Sequence, residues 1–541
     1  MRRLVCLILA VCLCLTLTGC DIDYSRYLEA LENVGASSGD REYVPYEEMV
    51  YSRPDMLQLE EILQSVCAAA AAGQTAEEIV KLTYDFYDAY DLFYTNYYLA
   101  DLRYSADLTD EYWKAETDFC TENSAWVDGA LEELYYALAK SSSLEELEGE
   151  DYFGPGFFDS YQGENNWDAG FTALLEQEAA LVSRYYDLSA RGAEYAPNSP
   201  EFYDACAEEM GQVLVDLIRL RRDIAEYWGY EDYCAFASDF YYYRDYTVEQ
   251  SGEYLAKIRQ ELVELYRQVN GKDVWNAEIE WSSEERTYDY VVQMARNMGG
   301  RVEEAFSVME QGGYYDIGYG ENKYPASFEV YLTSYQVPFV FMNPEMSTYD
   351  HLTFAHEFGH FCCDYSSWGS YAGVDVLEVF SQGMEYLSLC YAGDGADLTR
   401  LKMADCLYLY IEQAAFAEFE MEMYRIPEEK LSVQALTELY DRVALDYGFD
   451  SVGYDAREYV TINHYYTNPM YVISYVVSND AALQLYQLEQ RETGLGLEIL
   501  QNNLDTQERY FLAFLDAAGL KSPFTPGRLE AVRQTLESML S

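Results

Sequence analysis

Proline is scarce in this 541-residue chain, at 12 residues, and 34 basic residues face 96 acidic ones. Few prolines and long periodic stretches predict a mainly α-helical fold. The formal net charge of −62 repels phosphate backbones, which argues against nucleic acid as a partner. The charge reads as a solvated acidic surface that keeps the protein soluble. No Cys-x-x-Cys pair marks a structural metal site. Four of the 12 cysteines lie at or before Cys20, and eight are scattered at 67, 120, 206, 234, 362, 363, 390 and 406. The spacing assigns no disulfide. Beyond the N-terminus no stretch is long and apolar enough to cross a membrane. Histidine is scarcest, with only four: His351, His356, His360 and His464.

Hydrophobic residues make up 50% of the chain and aromatic residues 16%, enough for one large core or two lobes sharing a cleft. Tyrosine occurs 56 times. Its ring is apolar and its hydroxyl can face water, so most of these residues read as core filler and surface aromatics.

The N-terminus carries a pattern of its own. Arg2 and Arg3 precede an apolar run from Leu4 to Leu17, shorter than the roughly 20 residues that span a bilayer as a helix. The run closes with Leu17-Thr18-Gly19-Cys20, which resembles a bacterial lipobox. That pattern predicts a signal peptide over 1–19, removed before a lipidated Cys20, and an extracytoplasmic protein anchored to a membrane by its lipid. Residues 20–54, with Gly35-Ala36-Ser37-Ser38-Gly39-Asp40, read as a flexible tether. Residues 55–541 read as one domain, with a helical lobe over roughly 55–215 and a catalytic region over roughly 216–541. Within it, 326–332 and 337–342 are rich in β-branched and aromatic residues and predict two short strands. An exposed strand edge there would suit binding of an extended peptide through its backbone; a small structural hairpin is the alternative.

Directly after these strands comes His356-Glu357-Phe358-Gly359-His360. Residues four apart share a helix face, so both imidazoles can reach one metal ion, with Glu357 beside it to take a proton from bound water. Ser347 or Thr348 is the expected cap, with Asp350 in the first turn. His351 lies off this pattern and reads as structural. Zinc needs a third protein ligand and an open fourth position. Downstream, Glu378, Gln382 and Glu385 are spaced by four and three and share one helical face. Glu378 and Glu385 are both candidate ligands, and the carboxylate that is not a ligand would orient a ligand imidazole.

The run HEFGH followed by Glu378-Val379-Phe380-Ser381-Gln382-Gly383-Met384-Glu385 resembles the thimet oligopeptidase and oligoendopeptidase F family of zinc peptidases. Arg222-Asp223-Ile224-Ala225, Gly313-Tyr314-Tyr315-Asp316 and Pro338-Phe339-Val340-Phe341-Met342-Asn343 are similar to further family segments, as is the stretch from His464 to Tyr475. The match is close over about 220–480. The resemblance implies Glu378 as third ligand to one zinc ion, with His464, Tyr471 and Tyr475 stabilising charge on the carbonyl oxygen. It also implies a helical ellipsoid split by a deep channel that admits short unfolded peptides. Two features depart from the family: the gap from His360 to Glu378 is shorter, and Cys363 stands where several relatives carry histidine. Cys363 reads as a small apolar packing residue.

The predicted chemistry is hydrolysis of internal peptide bonds by zinc-bound water, with Glu357 as general base. The competing readings are a zinc exopeptidase, for which no terminus-binding motif stands out, and a tethered peptide-binding lipoprotein without turnover. The second is opposed by the presence of His356, Glu357, His360, Glu378 and His464 together. No protein partner is implied.

Overall fold

The computed structural model describes residues 43–540, except 150–151, 164–166, 193–194, 197, 271–280, 370–371 and 394. The predicted signal peptide, Cys20 and most of the predicted tether lie outside the described residues. The tether's predicted last residues lie against the fold: Arg53 and Tyr51 bond Glu116, and the Ser52 amide donates to Asn96 at 2.7 Å.

Three helices open the described chain: α1 (Met56–Ala72), α2 (Ala76–Ala106) and α3 (Glu111–Ala139). Each starts where a side chain accepts otherwise orphaned amides: Asp55 for α1, Thr75 in a capping box with Glu78 for α2, and Asp110 for α3. Their apolar faces enclose a ring-rich core running from Leu59 to Tyr161. A second, larger core takes in the rest of the chain. It begins with the packed pair α4 (Ala169–Gly192) and α5 (Pro200–Tyr227), followed by α6 (Tyr233–Phe240), α7 (Val248–Asn270), α8 (Glu284–Met298) and α9 (Gly300–Gly312).

A three-stranded sheet then interrupts the helices, in the order β1-β3-β2: β1 (Tyr315–Asp316), β2 (Ser327–Leu332) and β3 (Val337–Met342). The strands β2 and β3 pair antiparallel with Glu329 opposite Val340, close to the boundaries the sequence predicts, and β1 joins β3 in parallel. Both β2 and β3 pack against α10 (Asp350–Ser367), the helix that carries HEFGH.

The cap expected for α10 is made at Ser347, whose Oγ accepts the Tyr349 amide at 3.2 Å just ahead of the first regular helical residue. Met346 turns the chain at φ +63°, and the Asp350 carboxylate reaches back to the Ser347 and Glu345 amides at 2.8 and 3.1 Å. The Ser347 hydroxyl and the first-turn carboxylate thus fix the helix entry together.

Next is α11 (Val374–Tyr391), which packs against both α10 and a later helix over Ile473–Arg491. Gly359 of HEFGH sets this approach. A Cβ there would sit 2.6 Å from Ser381 Cα and 2.8 Å from the Phe380 oxygen, so only glycine lets the two backbones meet. The remaining helices are α12 (Gly395–Met423), α13 (Val433–Asp446), α14 (Ile473–Arg491), α15 (Leu495–Asn503), α16 (Phe511–Ala518) and α17 (Arg528–Leu540). The fold is mainly α, as predicted. The eight cysteines among the described residues are free, and none of the described helices is long and apolar enough to cross a membrane.

Candidate metal centre and active site

Helices α10 and α11 bring His356, His360 and Glu378 together in the interior. His356 Nε2 lies 3.6 Å from Glu378 Oε2, and His360 Nε2 lies 4.0 Å from Glu378 Oε1. One potential ligand atom from each of the three falls within 4.8 Å of the others, the one such group among the described residues. Bonds of about 2.0–2.1 Å at a tetrahedral angle would put ligand atoms roughly 3.3 Å apart, so small movements suffice to close on zinc. The donor chemistry fits as well: two imidazoles and a carboxylate leave a fourth position open. Burial, aided by His356, holds the His360 imidazole well below its ordinary pKa and so keeps it neutral, the form that ligates.

Glu385 does not join this group. Its Oε1 lies 2.8 Å from His356 Nδ1, and its Oε2 accepts from Lys402 Nζ at 2.7 Å. The geometry therefore separates the two carboxylates that spacing alone left equivalent. Burial raises the Glu385 pKa, but Lys402 and His356 outweigh it and hold the carboxyl below its usual value. Lys402 and the neighbouring Asp405 escaped the sequence reading. The available signal was an opposite-charge pair three residues apart, on a helix face shared with Leu398 and Leu409.

Glu357 follows His356 and is almost fully enclosed, at 1% exposure. Burial pushes its carboxyl up to about 8; His356 opposes the shift, and Glu378 and Glu385 add to it. A divalent cation at the cluster would draw it back down. Glu357 Oε1 has no hydrogen-bond partner among the described residues. Behind it, burial and the bonded Asp364 hold the Glu329 carboxyl of β2 well above its ordinary range, with Glu357 contributing.

The other side of the site comes from a non-repetitive stretch. His464–Thr467 forms a single helical turn, after which the chain passes through Met470 at φ +66° into α14. The Tyr475 hydroxyl lies 3.4 Å from His464 Nε2, and the Tyr471 hydroxyl donates to Glu378 Oε1 at 2.7 Å. The three rings lie within 5.1–5.8 Å of one another. Gln382 Nε2 donates to the Tyr475 carbonyl at 3.3 Å, linking this stretch to α11. Burial drives the His464 pKa down to about 4, so the ring is neutral near pH 7.

Two buried arginines grip this stretch by its backbone. Arg221 of α5 donates to the Tyr465 and Tyr466 carbonyls at 2.5 and 2.6 Å and pairs with Glu178 at 2.6 Å. Arg244 donates to the Met470 carbonyl at 2.8 Å and to Ser474 Oγ at 2.9 Å, and lies 3.4 Å from Asp375 of α11. Both were missed from sequence. Arg221 sits in an apolar rhythm with Leu214, Ile218 and Ala225, which is the trace a buried cation leaves.

Two further readings have structural counterparts. His351 bonds Ser282 Oγ at 2.9 Å and stacks on Tyr290 at 4.9 Å, outside the metal-type group. Cys363 is buried and is likewise no member of that group.

The site is thus a buried His₂Glu cluster, with Glu357 beside His356, in a mainly α-helical fold. Residues 46–166 match the family model described as the Peptidase M3 N-terminal domain. Among solved structures, PZ peptidase A with inhibitor 2 is 18% identical with a TM-score of 0.78, covering 92% of this chain and 99% of that chain. A candidate oligoendopeptidase F from Bacillus anthracis str. Ames is 19% identical with a TM-score of 0.74, covering 92% and 98%. The oligoendopeptidase F from Enterococcus faecium is 15% identical with a TM-score of 0.59, covering 90% and 96%. At these identities the likeness is one of fold. No curated protein matches. The match over residues 46–166 and the shared fold agree with the resemblance to thimet oligopeptidase and oligoendopeptidase F.

Proposed function

We propose that the protein is a zinc-dependent endopeptidase that cleaves short unfolded peptides inside a channel. His356, His360 and Glu378 hold the ion, and Glu357 acts as general base. The observation that carries this reading is the convergence of those three ligand atoms within 4.8 Å, with Glu357 buried beside them. When bound there, zinc supplies Lewis acidity to the scissile carbonyl and lowers the pKa of a water towards about 7.

The chain's own groups do the rest. Glu357 takes the proton of the attacking water and delivers it to the leaving amine. Neutral His464, with the Tyr475 hydroxyl beside Nε2, stabilises charge growing on the carbonyl oxygen, a role in which one donor contributes about 2.7–4 kcal/mol. Tyr471 shares that side and steadies Glu378 through its 2.7 Å bond. The strand β2 ends its sheet beside α10, and its outer edge supports backbone pairing with an extended peptide. The lipobox-like Leu17-Thr18-Gly19-Cys20 supports a lipid anchor at Cys20 and an extracytoplasmic location.

Glu357→Gln tests the reading on a peptide blocked at both ends. The expected result is cleavage of the blocked peptide by wild type and a loss of about 10²–10⁴-fold in the variant, with zinc and peptide still bound. Hydrolysis that survives the substitution overturns the mechanism. A blocked peptide left intact, while free-ended ones are trimmed, overturns the endopeptidase assignment.

A further inference from the structure

Behind the ligand His356 lies a continuous line of buried charged and polar groups contributed by three helices and the turn before α10. His356 Nδ1 meets Glu385 Oε1 at 2.8 Å, and Lys402 Nζ donates to Glu385 Oε2 at 2.7 Å. The same ammonium donates to Asp405 Oδ2 at 2.7 Å, while the Tyr349 hydroxyl donates to Asp405 Oδ1 at 3.0 Å. Lys402 is wholly enclosed, at 0% exposure, and sits 4.8 Å over the Tyr386 ring. A lysine almost never occupies such a position without partners, because removing an ammonium from water is costly. Here it has two carboxylates and a ring face.

The consequence reaches the metal centre. Glu357, Glu378 and Glu385 are all buried around two neutral-type ligands. Lys402 anchors one oxygen of Glu385 and thereby sets where the other meets Nδ1. Without that anchor the carboxyl group can turn, and the His356 ring loses the contact that presents Nε2 to Glu378. A carboxylate on the non-ligating nitrogen fixes a ligand histidine's tautomer and raises its basicity, and loss of such a partner costs about 10–100-fold in metal affinity.

We propose that Lys402 is a positioning residue for the metal centre: by bonding Glu385 Oε2 it holds Oε1 against His356 Nδ1 and so fixes the ring with Nε2 facing Glu378 and the metal. This rests on the zinc reading above, and it assigns a part of the centre to a side chain that touches neither metal nor substrate.

The test is zinc affinity, read by competition with a chromophoric chelator on the purified chain. Lys402→Met is expected to bind zinc about 10–100-fold more weakly than wild type. Glu385→Gln is expected to weaken binding too, and adding Lys402→Met to it should change affinity by less than about threefold, because the lysine acts through that carboxylate. The double variant also carries one fewer buried charge of each sign, so it serves if Lys402→Met alone does not fold. Folding of every variant is followed by thermal melting of the metal-free protein. A neutral variant with wild-type zinc affinity and only a lowered melting temperature overturns the proposal, as does a fully additive effect in the double variant. A wild type that binds no zinc would instead overturn the functional reading.

Discussion

On the metal side, His356, Glu385, Lys402 and Asp405 are joined side chain to side chain at 2.7–2.8 Å on regular helices. Opposite them, His464 and Tyr475 meet at 3.4 Å where a single helical turn, an irregular link and the start of α14 come together. The first set is fixed by charge meeting charge. The second is fixed through its main chain: Arg221 and Arg244 hold the carbonyls of Tyr465, Tyr466 and Met470. The Met470 amide is also bonded to Glu420 at 2.8 Å. Groups that grip a metal need fixed distances, and charged hydrogen bonds supply them. Groups that meet a developing oxyanion need a fixed platform and freedom at the tip, because their bonds form with the transition state.

That contrast can be broken one side at a time. The largest effect is expected from His464→Ala, which should lower kcat by about 10²–10³-fold, the loss typical of one oxyanion donor, while zinc content stays at wild-type level. Steady-state kinetics with metal analysis checks this, and a loss of zinc in the variant would erase the division between the two sides. Arg244→Met comes next. It leaves Asp375 without its guanidinium partner and the Met470 carbonyl without its donor, so unfolding in denaturant should show a destabilisation of about 3–5 kcal/mol. If the variant is as stable as wild type, the platform is held by something else.

A smaller effect sharpens the comparison through pH. The folded-state pKa of His464 is about 4, below its ordinary 6.5, so the unfolded chain takes up this proton first on acidification. Stability from this group is therefore complete above about pH 6.5 and falls as pH drops towards 4, by about 3 kcal/mol in all. Melting curves of wild type and His464→Gln across that window should diverge, with wild type losing more. Buried carboxyls such as Glu412, raised to about 8 by burial with Asp405 and Glu458 adding to it, act in the opposite sense, losing their contribution as pH rises. They are common to both proteins and leave the difference intact.

The two sides also differed in what the sequence revealed. HEFGH and the face shared by Glu378, Gln382 and Glu385 are periodic, so helix geometry brought out the two histidines and two candidate carboxylates; the family likeness chose Glu378, and Gly359 explains why the helices can touch. Strands β2 and β3 were visible from their composition, whereas β1 spans two residues and has no period to read. The cap of α10 was legible in Ser347 and Asp350, whereas the turn before it, which depends on Met346 at positive φ, was not. Lys402, Asp405, Arg221 and Arg244 were invisible by type, since a charged residue is assigned to the surface until its partner is known. Those partners lie on other helices, except for the Lys402–Asp405 pair, whose burial is itself tertiary. His464 was found through its rarity and the family likeness; the arginines that place its neighbours were not.

Zinc stoichiometry of the purified chain, wild type beside Glu378→Ala, tests the central assignment most directly. One tightly held ion per wild-type chain and its loss from a variant that still folds is the predicted result. A folded Glu378→Ala chain that keeps its zinc at wild-type affinity would contradict it.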